Sequence, residues 1–313
     1  MSGREKSDKN NMAKLITGHH NGEDLYSDGA VEDELLALFE SGGDPAAMLR
    51  QDKRWPVLYH LSPERRNLLE WFPFKKDSSL LEVGAGCGAL TGLFAERTAK
   101  VTAVELSLRR SRIIAARYSK SVNIEVMAGN ISDLELGSKY DCVTLVGVLE
   151  YARSFVKGPA PARCLLARCA SLLAPGGALL VAVENKFGLK YFAGAREDHS
   201  GRSFESIEGY RPDSPAETWS RDELEELLES SGFGRLDFYY PYPDYKLPEE
   251  VFSDRFLPGV SHVLKNAPNY DRDRYRLFSE KRAMLNIIAE GKFSFFSNSF
   301  LVAASGHNGL PAR

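Results

Sequence analysis

The stretch from Leu80 to Leu90, LLEVGAGCGAL, decides the fold. An apolar run, SLLEV, leads into a turn where Gly84, Gly86 and Gly88 alternate with Ala85 and Cys87, and an amphipathic stretch from Leu90 to Ala99 follows. Glycines at alternate positions remove Cβ atoms where the backbone must bend sharply and approach a ligand. The helix behind them offers unpaired N–H groups, a seat for a nucleotide-like cofactor.

Outward from that turn, the chain alternates four further apolar runs, KVTAVEL, VNIEVM, YDCVTLVGV and GALLVAV, with amphipathic stretches at Arg109 to Tyr118 and Ala162 to Leu173. Continuous Val/Ile/Leu runs are strands buried on both faces, and their alternation with helices predicts a parallel sheet wound by right-handed crossovers, an α/β fold. Glu105 stands at the end of the second strand, before Leu106, where a carboxylate would accept hydrogen bonds from ribose hydroxyls. Gly84, Gly86 and Ala89 also satisfy the looser dinucleotide pattern, so turn and acid by themselves leave NAD open.

Upstream, Met1 to about Gly22 is polar and without hydrophobic periodicity, which predicts a disordered tail. VEDELLALF places Val31, Leu35, Leu38 and Phe39 on one helical face, and Ser62-Pro63-Glu64-Arg65 reads as the start of a second helix through Leu68, Leu69 and Trp71. Residues 23–75 are thus expected to form an N-terminal helical extension and residues 76–305 the main domain. After Val183 the rhythm lapses in an aromatic and charged loop, about 184–219, whose length and content point to function. Ser220-Arg-Asp-Glu is a capping box that opens a helix over Leu224 to Ser230. A strand at Arg235 to Tyr240, a second insertion at about 241–291, a last strand at Ser297 to Ala303 and a tail at 306–313 complete the expected order.

With 313 residues, 43% hydrophobic and 27% charged, disorder throughout is excluded. The formal charge of -3 gives no basic footprint, which argues against a nucleic-acid partner. Cys87, Cys142, Cys164 and Cys169 lack paired spacing, so they read as reduced thiols, with no zinc signature and no metal expected. Neither a signal peptide nor a transmembrane segment is legible, and a cytoplasmic location is expected.

Glu82 precedes the first glycine in an E-x-G-x-G-x-G arrangement that resembles motif I of class I S-adenosylmethionine-dependent methyltransferases. Gly129-Asn130-Ile131 follows the third strand, where that family places a residue reading the adenine, commonly an aspartate. YDCVTLVGVLEYA resembles the fourth motif, with Gly147, Val148, Leu149 and Glu150 at the strand's carboxyl end, where ligands of open α/β sheets lie. The resemblance narrows to methyltransferase domains found beside glycosyltransferases in bacterial surface-polysaccharide gene clusters, through VLYHLSPERRNLLEW, ENKFGLKYFAGAREDHSG, SIEGY, FYYPYPDYKLP and FFSNSFLV.

That resemblance implies a Rossmann-like seven-stranded sheet with helices on both faces, a reversed final hairpin, and inserted substrate loops after strands 5 and 6. It implies S-adenosyl-L-methionine as cofactor, a glycan or small-molecule acceptor, and a glycosyltransferase neighbour; a homodimer stays open. O-methylation of a sugar is the leading expectation, beside O- or N-methylation of a small natural product, a non-catalytic cofactor-holding subunit serving a partner enzyme, and a dehydrogenase. The string YYPYPDY is misplaced for an adenine N-methyltransferase, whose signature belongs after the fourth strand.

A sulfonium methyl is already activated, so transfer needs chiefly alignment of the acceptor, plus a base if a hydroxyl must lose its proton. His199, beside Glu197 and Asp198, is the first candidate base, because imidazole titrates near neutrality and a neighbouring carboxylate can orient it. Glu184, ending the fifth strand, and Asp244 in PYPDY are the others. Tyr59, His60 and Arg65 are expected to touch the methionine carboxylate or to cover the cofactor. Phe187, Tyr191, Phe192, Tyr210, Tyr239, Tyr240 and Tyr242 are the aromatics available to stack on sugar faces.

Overall fold

The computed structural model describes residues 13–20, 22, 27–262, 265–268 and 272–306. The remaining parts of the two expected tails, 1–12, 21 and 307–313, lie outside the described residues. Five strands fall on the five apolar runs: β2 (Ser79–Val83), β3 (Lys100–Glu105), β4 (Ile124–Ala128), β5 (Tyr140–Val146) and β6 (Leu173–Glu184). They are joined by β7 (Arg235–Tyr242), β9 (Ser299–Ser305) and two strands the sequence did not announce, β1 (Lys14–Ile16) and β8 (Glu250–Ser253). The order is β1-β4-β3-β2-β5-β6-β9-β7-β8, so the sheet has nine strands and the expected seven is corrected. Both additions are edge strands of three or four residues, too short to carry an alternating pattern.

The chain forms two compact units. One takes residues up to 66 together with 70–144, the other 67–69 together with 145–313, so the helical segment 23–75 falls almost entirely within the first.

In the first unit β1, β4, β3 and β2 are parallel. Lys14 pairs with Glu125, so part of the segment read as a disordered tail is an ordered strand; its Leu15 and Ile16 add backbone to an otherwise open edge. Four of the five residues of β2 and five of the six of β3 are buried, as continuous apolar runs require. Helix α1 (Val31–Glu40) turns Val31 and Leu35 into a core with Val57, Leu61, Cys87 and Ile113, while Leu38 and Phe39 pack against it partly buried. Helix α2 (Pro45–Gln51) starts at Asp44, whose carboxylate caps Ala46 N. Helix α3 (Trp55–Leu61) lies upstream of the expected Ser62 start, because Pro56 occupies its first turn; Ser62 ends it, and Pro63–Leu68 is a 3-10 helix. Helices α4 (Thr91–Arg97) and α5 (Leu108–Arg117) follow β2 and β3.

In the second unit β6 pairs antiparallel with β9, and β9 antiparallel with β7, which is the expected reversal of the final strand. A short helix α6 (Ala152–Phe155) follows β5, and α7 (Pro161–Leu172) buries Leu165, Leu166, Cys169 and Leu172. The first insertion holds two single turns, α8 (Leu189–Phe192) and α9 (Glu205–Glu208). The capping box at Ser220 and Glu223 is formed as read and opens α10 (Arg221–Glu229). The second insertion contains β8 and a helix, α11 (Glu280–Ala289), before α12 (Phe293–Phe296) leads into β9.

Candidate active site

Gly84, Gly86 and Gly88 all adopt positive φ, at 71°, 57° and 79°. L side chains avoid that region, which is why the turn takes glycine at each of these positions. An ideal Cβ on Gly86 would meet nothing nearer than His60 Cε1 at 3.9 Å, so the backbone there faces open space. At Gly88 the Cβ would stand 3.0 Å from the Tyr118 ring, whose hydroxyl donates to Gly88 O at 2.6 Å. The bend is anchored behind by Gly84 N and Ala85 N donating to Val104 O, and by Arg117 donating to Cys87 O and His60 O.

Two buried acids flank this turn. Glu105 accepts Gly86 N at 2.7 Å on one oxygen and Ser107 N at 2.9 Å on the other. Each oxygen keeps a lone pair, and burial pushes the carboxyl above its ordinary pKa despite the nearby Arg110 guanidinium and those N–H bonds. Glu82 points into the base of the turn, accepts the Thr91 hydroxyl at 2.6 Å, and is pushed up to about 8, chiefly by burial.

The N-terminal segment supplies a charged network in the same unit. Arg110 donates to Asp28 at 2.6 Å and to the fully buried Glu32 at 2.7 Å, and Asp28 also holds His60 Nε2 at 2.8 Å. Burial is the largest influence on His60 and lowers its pKa, leaving a neutral ring beside Gly86. Tyr59 lies under the Arg65 guanidinium, 4.3 Å from the ring centroid, and accepts from it at 3.3 Å. So of the three residues expected near the cofactor, His60 reaches the turn directly, while Tyr59 and Arg65 pair with each other.

At the end of β4, Gly129 N donates to Glu105 O, and the backbone of His19 approaches to 3.1 Å of where a Gly129 Cβ would be. Asn130 Oδ1 accepts Ser132 N at 3.0 Å, and Ile131 is buried. Leu106 is half-buried beyond β3. At the end of β5, Gly147 (φ 70°) leaves room for the Tyr245 hydroxyl, 2.8 Å from its Cβ position, and Leu149 is fully buried beside the half-buried Val148.

The second unit gathers the three acid–base candidates into one charged cluster. His199 Nδ1 holds Glu197 at 2.7 Å, while Nε2 lies 3.6 Å from Glu150 and 3.7 Å from Glu184. Glu197 is fixed by the backbone N–H groups of His199 and Ser200 and by the Tyr210 hydroxyl. Lys246 pairs with Glu184 and lies 3.3 Å from Asp198; Lys190 bridges Asp244 at 2.7 Å and Asp198 at 2.9 Å. Surrounding acids, Glu184 first among them, raise the His199 pKa well above its ordinary value against the opposing effect of burial. Burial raises that of Glu184, whereas Lys190 and Lys246 hold Asp244 below the usual carboxylate range. Those acids favour the protonated ring, which would have to give up its Nε2 proton before that nitrogen could accept one.

Sequence reading singled out His199, Glu184 and Asp244, with Glu197 and Asp198 beside His199, but not Lys190 or Lys246, nor a place for Glu150 in this cluster. These charges lie far apart along the chain; the available signal was charge inside aromatic strings, as in YPDYK. Of the expected aromatic platforms, Tyr191 and Tyr240 are fully buried and serve the core.

The glycine turn and the acid one strand later make a nucleotide-binding Rossmann-like fold, here with a reversed last strand. The methyltransferase domain family matches residues 57–235, more than half of the chain, and the chain belongs to that family. A ubiquinone biosynthesis O-methyltransferase of Xanthomonas campestris pv. campestris is 30% identical over 132 residues, 41% of this chain and 52% of that protein. Ribosomal RNA small subunit methyltransferase A of Syntrophus aciditrophicus is 33% identical over 82 residues, 26% of this chain and 27% of its own length. The chain thus spans from a quarter to about half the length of these curated relatives. Among solved structures, phosphoethanolamine N-methyltransferase 1 of Haemonchus contortus, in complex with phosphoethanolamine and S-adenosylhomocysteine, shares the fold. Its TM-score is 0.50 at 12% identity, over 90% of this chain and 50% of that one. No helix among the described residues is long and apolar enough to cross a membrane.

Proposed function

We propose that this chain transfers a methyl group from S-adenosylmethionine to a hydroxyl of a sugar in a glycan or glycosylated metabolite. The observation that carries the cofactor half is Gly86: a left-handed backbone with open space above it, its N–H held by Glu105. Those residues fit the cofactor, since the bare backbone admits a nucleoside and Glu105 keeps lone pairs for two ribose hydroxyls. When bound, S-adenosylmethionine supplies a methyl group already activated on a positive sulfur. The chain's part is to orient and to keep water out. Glu105 would hold the ribose, Gly84 to Gly88 the close approach, and His60 a neutral ring beside the turn.

On the acceptor side, Glu150, Glu184 and His199 converge, and polar atoms of all three lie within 4.8 Å of one another. Buried carboxylates suit hydroxyl donors, and Asp244, locked to Lys190, positions rather than reacts. The sugar acceptor draws its support from the resemblance to polysaccharide-cluster methyltransferase domains. O-methylation of a small molecule is the second reading, favoured by the relatives named for ubiquinone biosynthesis.

Calorimetry with S-adenosylhomocysteine tests the cofactor half. The protein is expected to bind it, and Gly86→Arg to lose binding while circular dichroism stays folded; stabilisation by NAD instead would refute the reading. Transfer of labelled methyl from S-adenosylmethionine to oligosaccharide or small-molecule fractions of cell extract separates the two acceptor classes.

A further inference from the structure

We propose that Glu150, Glu184 and His199 form a binding site for one divalent metal ion of the manganese-to-zinc series. The polar atoms of the three residues converge within 4.8 Å. They come from the turn after β5, the end of β6 and the first insertion. Four observations point to an ion rather than to an ordinary salt-bridge cluster.

The first is spacing. His199 Nε2 stands 3.6 Å from Glu150 Oε1 and 3.7 Å from Glu184 Oε2, beyond hydrogen-bond reach. Ligand bonds of about 2.1 Å around a tetrahedral ion separate ligand atoms by roughly 3.4 Å, so the gap matches a shared ion.

The second is unmet bonding capacity. Glu150 Oε2 and Glu184 Oε2 are buried with no hydrogen-bond partner, on residues 1% and 0% exposed. A buried carboxylate oxygen without a donor is costly, and a cation removes that cost.

The third is the orientation of the imidazole. Glu197 holds His199 Nδ1 at 2.7 Å, which places the ring proton there and directs the Nε2 lone pair at the two glutamates once the ring is neutral. Backbone N–H groups and the Tyr210 hydroxyl fix Glu197 in turn. A carboxylate, a histidine and an ion in line is the usual way a protein fixes the tautomer of a metal-binding imidazole.

The fourth is charge. Glu150, Glu184, Glu197, Asp198 and Asp244 are five carboxylates within one buried cluster, against the two ammonium groups of Lys190 and Lys246. A dication offsets most of the remainder. One imidazole with two carboxylates is a mixed donor set that suits manganese, iron or zinc over calcium, which prefers oxygen alone. Three protein ligands leave coordination positions for an outside oxygen.

The site stands apart from the cofactor reading, and its readout needs no S-adenosylmethionine. The full chain, stripped with EDTA, is titrated with Mn²⁺ followed by the electron paramagnetic resonance of the free ion, and with Zn²⁺ by calorimetry. Uptake of one equivalent is expected, with affinity lowered at least about 100-fold in Glu150→Gln and His199→Asn, and roughly 10- to 100-fold in Glu197→Gln. Absence of uptake of either ion at millimolar concentration, or uptake unchanged in the first two variants, overturns the proposal. Should those variants fail to fold, the wild type decides by itself. Mn²⁺ must broaden the imidazole resonances of His199 in a histidine-labelled sample, and an unbroadened His199 overturns the site.

Discussion

Replacing Glu82 with Gln should flatten the alkaline loss of stability of this protein. The carboxyl sits at the end of β2 with 5% exposure and accepts the Thr91 hydroxyl, and its pKa is pushed up to about 8 from an ordinary 4.5. Burial is the largest cause; the Thr91 bond and the more distant Arg65 and Arg117 recover part of it. Below the unfolded value both states hold the proton and no penalty exists. Between 4.5 and about 8 the unfolded chain has lost the proton and the folded chain keeps it, so folding stability falls as pH rises. At ~1.36 kcal/mol per pH unit the full penalty approaches about 5 kcal/mol, as an upper bound, and is constant above the folded pKa. Gln fills the same volume, can still accept the Thr91 hydroxyl, and does not titrate. Urea unfolding of both proteins from about pH 5 to about pH 8.5 provides the measurement, with the difference between them cancelling other titrating groups. The variant should gain on the wild type by several kcal/mol across that interval. A difference flat to within about 0.5 kcal/mol would refute the reasoning, since a buried neutral carboxyl must show this slope.

Arg110→Met should cost roughly 1.5–3 kcal/mol in thermal or urea unfolding, because it removes the guanidinium shared by Asp28 and the fully buried Glu32, while Arg109 still pairs with Glu32 at 3.0 Å; adding Glu32→Gln should restore part of that loss. Gly88→Ala combines a φ of 79° with a Cβ 3.0 Å from the Tyr118 ring, and should lower stability by roughly 1–3 kcal/mol in the same assay. Ser220→Ala removes the acceptor of Glu223 N in the capping box, so a loss of ~1 kcal/mol is expected, with the fold unchanged by circular dichroism.

The strands that position the cofactor turn were legible because burial on both faces writes itself as continuous Val, Ile and Leu. What escaped was short or capped in unusual ways. Lys14–Ile16 and Glu250–Ser253 are edge strands, and three or four residues show no period. Ser62-Pro63 has the chemistry of a helix start, yet Pro56 had already set one at Trp55, and the chain had only a 3-10 turn left to make. Asp44-Pro45 is a helix cap and N1 proline whose seven-residue helix is too short to show a period beside that of Val31–Glu40. At the candidate site the glycines and Glu105 were readable because backbone approach restricts residue type locally. Lys190 and Lys246 were not, because ion pairs between distant segments, Lys190 with Asp244 and Lys246 with Asp198, leave no spacing in either segment.

The charged cluster also separates stability from function. Burying Glu150, Glu184, Glu197 and Asp244, with the partly buried Asp198, around Lys190 and Lys246 is a poor way to hold a fold together. Each ion loses several kcal/mol of hydration, and well-packed apolar residues of the same volume serve as well or better. The first unit shows the contrast. Around Arg110, Asp28 and Glu32 receive a matched guanidinium, a serine hydroxyl and a backbone N–H, which closes the network on itself. In the second unit Oε2 of Glu150 and Oε2 of Glu184 are buried with no donor, and both carboxylates lie within 3.7 Å of Nε2 of the imidazole that Glu197 orients through Nδ1. The proposed metal site would supply what the second network lacks. Either proposed occupant, a metal ion or a hydroxyl acceptor, would bring positive charge or hydroxyl protons to those oxygens.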